Sequence, residues 1–231
     1  MIVVHGSPGS GKSTFAASAP SPIFIRTEDG LGGLDVDAFP EAESYQDVID
    51  ALTALYSDDH EYKTVVIDST SALEPLIWSR VSQDANVKNL EDIGFGKGYM
   101  YAMDYWHEVG QACKGLAKRG ITPILIAHSN IIKHDAPDTE PFDRYQLKLH
   151  KRAFHYLYEQ ADIIAFATTP VHVKKSDDAK NKAVAKGGRE LRVVEAPAYI
   201  AKNRYKMPEK VEMPLEDPWS PLAQHVPFYN Q

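Results

Sequence analysis

Residues 6–13, Gly6-Ser7-Pro8-Gly9-Ser10-Gly11-Lys12-Ser13, constrain this chain more than any other stretch of its length. They satisfy the G-x-x-x-x-G-K-[ST] pattern, and that pattern requires an apolar strand in front and a helix behind. Both are legible. Ile2-Val3-Val4-His5 is a strand-forming run, and residues 12–19 read as a short helix that Pro20 stops, because proline brings no N–H to the ladder. Glycine lets the backbone curl until its N–H groups converge on one anion, and the start of the helix adds partial positive charge. Lys12 is then suited to neutralise the β- and γ-phosphates of ATP or a close relative, and Ser13 to ligate Mg2+. Thr14 is expected on the α-phosphate side.

Beyond the loop, apolar runs of strand length alternate with helical stretches, the pattern of a largely parallel sheet covered on both faces. Strands are expected at residues 23–25, 64–67, 122–127 and 163–167. Ser44, with Asp47 three residues on, reads as the N-cap of a helix carrying Val48, Leu52 and Leu55 on one face. Further helices are expected at about 72–81, 99–118 and 153–160. The polar residues 82–98 read as a surface loop, and residues 130–152 as a long excursion of mixed charge, functional or mobile. A hairpin is expected between residues 171–173 and 191–193, with a Lys-rich tip. After residue 206, Pro208, Pro214, Pro218, Pro221 and Pro227 argue against regular structure. The expected organisation is one α/β domain over 1–206 and a Pro-rich tail over 207–231 that wraps the domain or reaches a neighbour.

Composition narrows the setting. Apolar residues make up 43% of the 231 and charged residues 25%, ordinary globular usage. With Cys113 the lone cysteine, no internal disulfide can form, and a buried apolar role suits it better than a reactive one. A reducing compartment, the cytoplasm, is expected. No charged leader is expected ahead of the N-terminal strand, and no apolar run is long enough to span a membrane. A net charge of −7 argues against attraction of nucleic acid to the whole surface, though it permits a local basic face.

A phosphate loop needs a carboxylate at the end of a neighbouring strand to hold the metal's water shell. Asp68, closing the β-branched run Thr64-Val65-Val66-Ile67, supplies it. The next residue is Ser69 rather than a glutamate, so a general base must come from elsewhere. Glu28, just beyond the second strand, can face the γ-phosphate and polarise water; the competing reading is a solvated turn carboxylate.

The phosphate loop, Glu28 after the second strand, Val66-Ile67-Asp68-Ser69 and a polar residue closing the strand 124–127 make the chain resemble the RecA-type ATPase core. More closely, Thr27-Glu28-Asp29-Gly30, Ile67-Asp68-Ser69, the segment Gly94-Phe95-Gly96-Lys97-Gly98-Tyr99 and Ile126-Ala127-His128-Ser129 resemble phage-encoded RecA-like nucleotide-binding proteins, some of which, the Sak group, act as single-strand-annealing or recombination ATPases. The likeness runs from about residue 2 to 206. It implies a three-layer RecA-like sheet with a C-terminal hairpin, ATP hydrolysis with Mg2+, and action on single-stranded DNA. It also implies a homo-oligomeric ring or filament, with a phage or host single-strand-binding protein as a further partner and the host cytoplasm as location. The family's γ-phosphate sensor, commonly Gln, falls on His128, which can still donate to phosphate or can be a capped core histidine. The DNA-contacting loop falls on residues 130–152, where Arg144, Tyr145, Lys148, Lys151 and Arg152 suit phosphates and base stacking. Asp135, Asp138, Glu140 and Asp143 leave an ordinary solvated loop open. Lys202-Asn203-Arg204 resembles the cations that RecA-type protomers extend to a neighbour's ATP, or else keeps an edge strand unpaired. Lys174 to Arg192, with Arg189 among its cations, forms either a second nucleic-acid contact or a solvated tip.

Two other readings stay open. The Pro8 form of the loop also resembles nucleotide kinases, in which residues 143–152 would be a lid, and a non-hydrolysing mediator would use ATP only to hold subunits together. No guanine-reading Asn-Lys-x-Asp segment or ABC-type signature is present.

Overall fold

In a computed structural model, the β-branched runs lie side by side as the middle of one sheet; the structure describes residues 1–135, 137, 139–174, 182–185 and 188–226. β1 (Ile2–Gly6) is buried along its whole length, as is β4 (Thr64–Asp68). Neither alternates in polarity because both faces of the sheet are covered. With β2 (Pro22–Arg26), β3 (Asp37–Ala38), β5 (Thr122–His134) and β7 (Ile163–Thr168) they form the parallel part, in the order β7-β1-β5-β4-β2-β3. Every parallel strand therefore ends on the same rim. Register brings Gly6 level with His128, and Arg26 level with Asp68.

One face is covered by four helices: α2 (Tyr45–Ser57), α3 (Thr70–Asp84), α4 (Lys97–Lys118) and α5 (Lys151–Gln160). α2 starts with the expected capping box, in which Ser44 accepts from Asp47 N and the Asp47 carboxylate accepts from Ser44 N. On α4, Trp106, Val109, Cys113 and Leu116 face inward at 1% exposure or less, the spacing a helix must have to bury one stripe. The loop before α4 carries a short 3-10 turn, Leu90–Ile93. The other face holds α1 (Lys12–Ala17). No helix among the described residues is long and apolar enough to cross a membrane.

Three expectations are corrected. The strand expected at 122–127 continues to His134 and folds back as β6 (Phe142–Leu147), so much of 130–152 is a β-hairpin followed by α5. Its charges obscured the strand-competent residues Ile131, Ile132, Phe142 and Tyr145. Second, β8 (Val171–Lys174) pairs with β9 (Lys182–Ala185), not with residues 191–193. β10 (Arg189–Arg192) instead adds antiparallel to β7, because Leu191 and Val193 are wholly buried in the α1-side core. β11 (Lys202–Asn203) also pairs with β7. Third, the Pro-rich tail is ordered where described: β12 (Lys210–Met213) extends the edge beside β10, and α6 (Ser220–Ala223) follows. Pro208 and Pro214 lie on either side of the strand, Pro218 precedes the helix, and Pro221 sits in its first turn, where a missing N–H costs nothing. Met207, Val211, Met213, Trp219 and Leu222 pack in the cluster that includes Phe15 of α1. Lys175, Lys180, Lys186, Asp138 and Pro227 lie outside the described residues.

Candidate functional site at the phosphate loop

Between β1 and α1 the chain turns through Gly9 at φ 76° and Gly11 at φ 92°, conformations that a side chain would strain. Gly6 is needed for a different reason, since a β-carbon there would lie 2.4 Å from Ala167 O and 2.7 Å from Ser10 Oγ. Lys12 folds back over the turn, its Nζ donating to Gly6 O (3.1 Å) and Ser7 O (3.0 Å). Burial pushes its pKa below the usual lysine range, and Asp68 and Glu28 partly restore it. Ser10 Oγ is buried with no hydrogen-bond partner among the described residues. An orphaned hydroxyl beside a buried ammonium, in a turn made of glycines, fits an anion cradle.

The decisive contact spans 55 residues: Ser13 Oγ donates to Asp68 Oδ2 at 2.7 Å. Asp68 is 5% exposed, and burial pushes its pKa above the usual carboxylate range while the Ser13 hydroxyl pulls it down. A hydroxyl and a carboxylate held together are hard oxygen donors, and Mg2+ is usually bound by one or two such protein groups with phosphate oxygens completing the set. These residues therefore fit the ion. Asp68 is itself positioned from β2: Thr27 N donates to Asp68 O (2.9 Å), Ser69 N donates to Thr27 Oγ1 (2.8 Å), and Thr27 Oγ1 donates to Ser69 O (2.6 Å). The Asp68–Ser69 peptide is cis. Thr27 went unnoticed as a support residue in the sequence because its partner lies across the sheet.

Glu28 and His128, a hundred residues apart, meet at the same rim. His128 Nε2 lies 2.9 Å from Glu28 Oε1 and 3.2 Å from Oε2. Because an ionised carboxylate only accepts, this nitrogen carries the proton. Both side chains are about one-third exposed, at 32% and 34%, so solvent reaches the pair. Ser71 at the start of α3 accepts from His128 N, and His128 O accepts from Lys148 N at 2.8 Å.

The other sequence-selected residues divide. Lys148, Lys151 and Arg152 are exposed where the hairpin leads into α5. Arg144 and Tyr145 are engaged by the fold. Arg144 pairs with Glu195 (3.1 Å) and donates to Pro197 O (3.0 Å), while Tyr145 stacks on Phe166 and donates its N–H to Ala198 O. Lys202 and Arg204 sit at the far end of the sheet from the phosphate loop, since Lys202 is level with Ile164 near the start of β7. There Lys202 donates to Tyr158 O and Glu159 O, and Arg204 to Asp162 Oδ1 and Glu159 O. They cannot reach their own nucleotide site.

The model of the family AAA_24, an AAA domain, matches residues 1–205. No curated protein matches the sequence. Among solved structures, a RadB recombinase superposes with a TM-score of 0.52 at 14% identity, covering 94% of this chain and 88% of that one. The flagellar accessory protein FlaH from Methanocaldococcus jannaschii gives 0.43 at 12% identity, covering 92% and 83%. The RadB likeness is one of fold, a mostly parallel α/β sheet of the RecA-like kind. With the family model running from the first strand through β11, and the loop and strand-end carboxylate already joined in space, the chain belongs to the AAA-domain family and is a P-loop ATPase of RecA-like fold.

Proposed function

We propose that this ATPase binds ATP with Mg2+, hydrolyses it, and acts on single-stranded DNA in recombination or replication as a homo-oligomeric ring or filament. The observation that carries the hydrolytic reading is the Glu28–His128 pair at the rim shared with Lys12 and Asp68. Lys12 and the loop amides bind the β- and γ-phosphates. Ser13 and Asp68 would hold Mg2+, which would supply charge to neutralise the phosphates. His128 keeps Glu28 hydrogen-bonded until a γ-phosphate competes for the Nε2 proton. Glu28, so released, accepts from a water and orients it.

The DNA reading is supported by the exposed Lys148, Lys151 and Arg152, which supply charge for a phosphate backbone. The hydrogen bond from Lys148 N to His128 O would let a change at the γ-phosphate reach that segment. Lys202 and Arg204, being remote from their own loop, suit action on a neighbouring protomer's nucleotide. RadB's description as a recombinase points the same way, and the resemblance to the Sak group supports a phage origin, with a phage or host single-strand-binding protein as a further partner. ATP turnover with and without single-stranded DNA, across a salt series, tests this. Stimulation by DNA at low salt and steep loss of DNA binding as salt rises are expected. No binding and an unchanged rate at low salt would return the kinase or mediator reading. Glu28→Gln should lower turnover by about a hundredfold or more while nucleotide binding survives.

A further inference from the structure

Leu191 on β10 is level with Ala167 on β7, and Ala167 is level with Gly6 on β1. Residue 191 is therefore brought abreast of the first residue of the phosphate loop. Side chains alternate along a strand, so Arg189 shares the face of Leu191, which is wholly buried in the cluster that includes Phe15 of α1. Two residues further along that face, Arg189 runs past the end of β7 and lies on the loop. A β-carbon built on Gly11 would be 2.8 Å from Arg189 Cδ, 2.9 Å from Nη1 and 3.3 Å from Nε.

Its charge is unanswered. The Arg189 guanidinium makes no hydrogen bond or ion pair among the described residues. Glu190 faces the other way and pairs with Arg192 at 2.6 Å. A guanidinium cannot shed its proton to escape a poor site. The loop's backbone N–H groups and the Lys12 ammonium add positive potential here. A permanent cation resting on an anion cradle, with no described acid beside it, fits an anion that arrives from solution.

We infer that Arg189 is a second phosphate-binding cation of the nucleotide site, supplied in cis to the α- and β-phosphates. The choice of phosphates follows from strand order. β5, β4 and β2, which carry His128, Asp68 and Glu28 at or just beyond their ends, lie on one side of β1, while β7 and β10 lie on the other. Arg189 thus approaches from the side away from the groups placed for hydrolysis. It strengthens the binding of ATP and ADP alike.

Titration calorimetry with Mg2+–ATP and Mg2+–ADP on wild type, Arg189→Met, Arg189→Lys and Lys12→Ala tests this. Methionine keeps an apolar stem over Gly11 and removes the charge. Arg189→Met should weaken both nucleotides about tenfold by the same factor, as loss of a charged hydrogen bond does. Arg189→Lys should fall between it and wild type, and gives a second folded comparison should the methionine variant melt early. Unchanged ADP affinity in Arg189→Met overturns the inference, and so does a loss confined to ATP. Lys12→Ala separates the two possible failures: if it abolishes ADP binding while Arg189→Met does not, the nucleotide site stands and only the role of Arg189 falls.

Discussion

Glu74 offers a test that needs no ligand. It sits on α3, 5% exposed, and both of its carboxylate oxygens accept from His150 N, at 3.0 and 2.9 Å. It thereby ties the helix that follows Asp68 to the start of α5, next to the exposed Lys151 and Arg152. Burial raises its pKa from 4.5 to about 7, against the pull of the His150 N–H. Below pH 4.5 the carboxyl is protonated in both folded and unfolded chains and costs nothing. From there to about pH 7 the unfolded chain gives up a proton that the folded chain keeps, so stability falls as pH rises; above pH 7 the loss is complete. At about 1.4 kcal/mol per pH unit, the whole loss is about 3 kcal/mol, and the part between pH 5.5 and 8 is about 2 kcal/mol. Glu74→Gln cannot ionise and retains an oxygen for His150 N. Urea unfolding of both proteins, followed by tryptophan fluorescence at the two pH values, should show the variant gaining about 2 kcal/mol on wild type as pH rises. A gap between the two proteins that is the same at pH 5.5 and pH 8 would refute the reasoning.

His128→Gln, which keeps a donor near Glu28, should retain most ATP turnover, whereas His128→Ala should lose about tenfold or more and its response to DNA; equal rates in the two variants would remove His128 from the mechanism. Gly110 lies mid-helix in α4, where alanine normally stabilises by about 1 kcal/mol. A β-carbon there would meet Tyr156 Oη at 2.0 Å, so Gly110→Ala should instead cost about 1–3 kcal/mol in chemical denaturation. The same change in a Tyr156→Leu background should cost less.

What the sequence determined by itself was local. The phosphate loop is legible because its chemistry is contained in eight consecutive residues whose glycines have no other common use in that spacing. Asp68 is legible because a strand buried on both faces must be apolar throughout, so an acid at its end stands out. Ser44 and Asp47 announce α2 because a cap is built from its own neighbours. Other features needed the sheet. Glu28 meets His128 only because β2, β4 and β5 lie in that order with their ends on one rim, and nothing within either segment encodes the other's distance. Arg144 and Tyr145 look like free contacts in a charged stretch, yet the hairpin turns them onto Glu195, Pro197 and Phe166. Arg189, read along the chain, belongs to a Lys-rich tip; register with β7 lays it on Gly11. Periodicity reports which face a residue takes within its own strand, while long-range pairing, set by the joint burial of two whole strands, decides what that face meets.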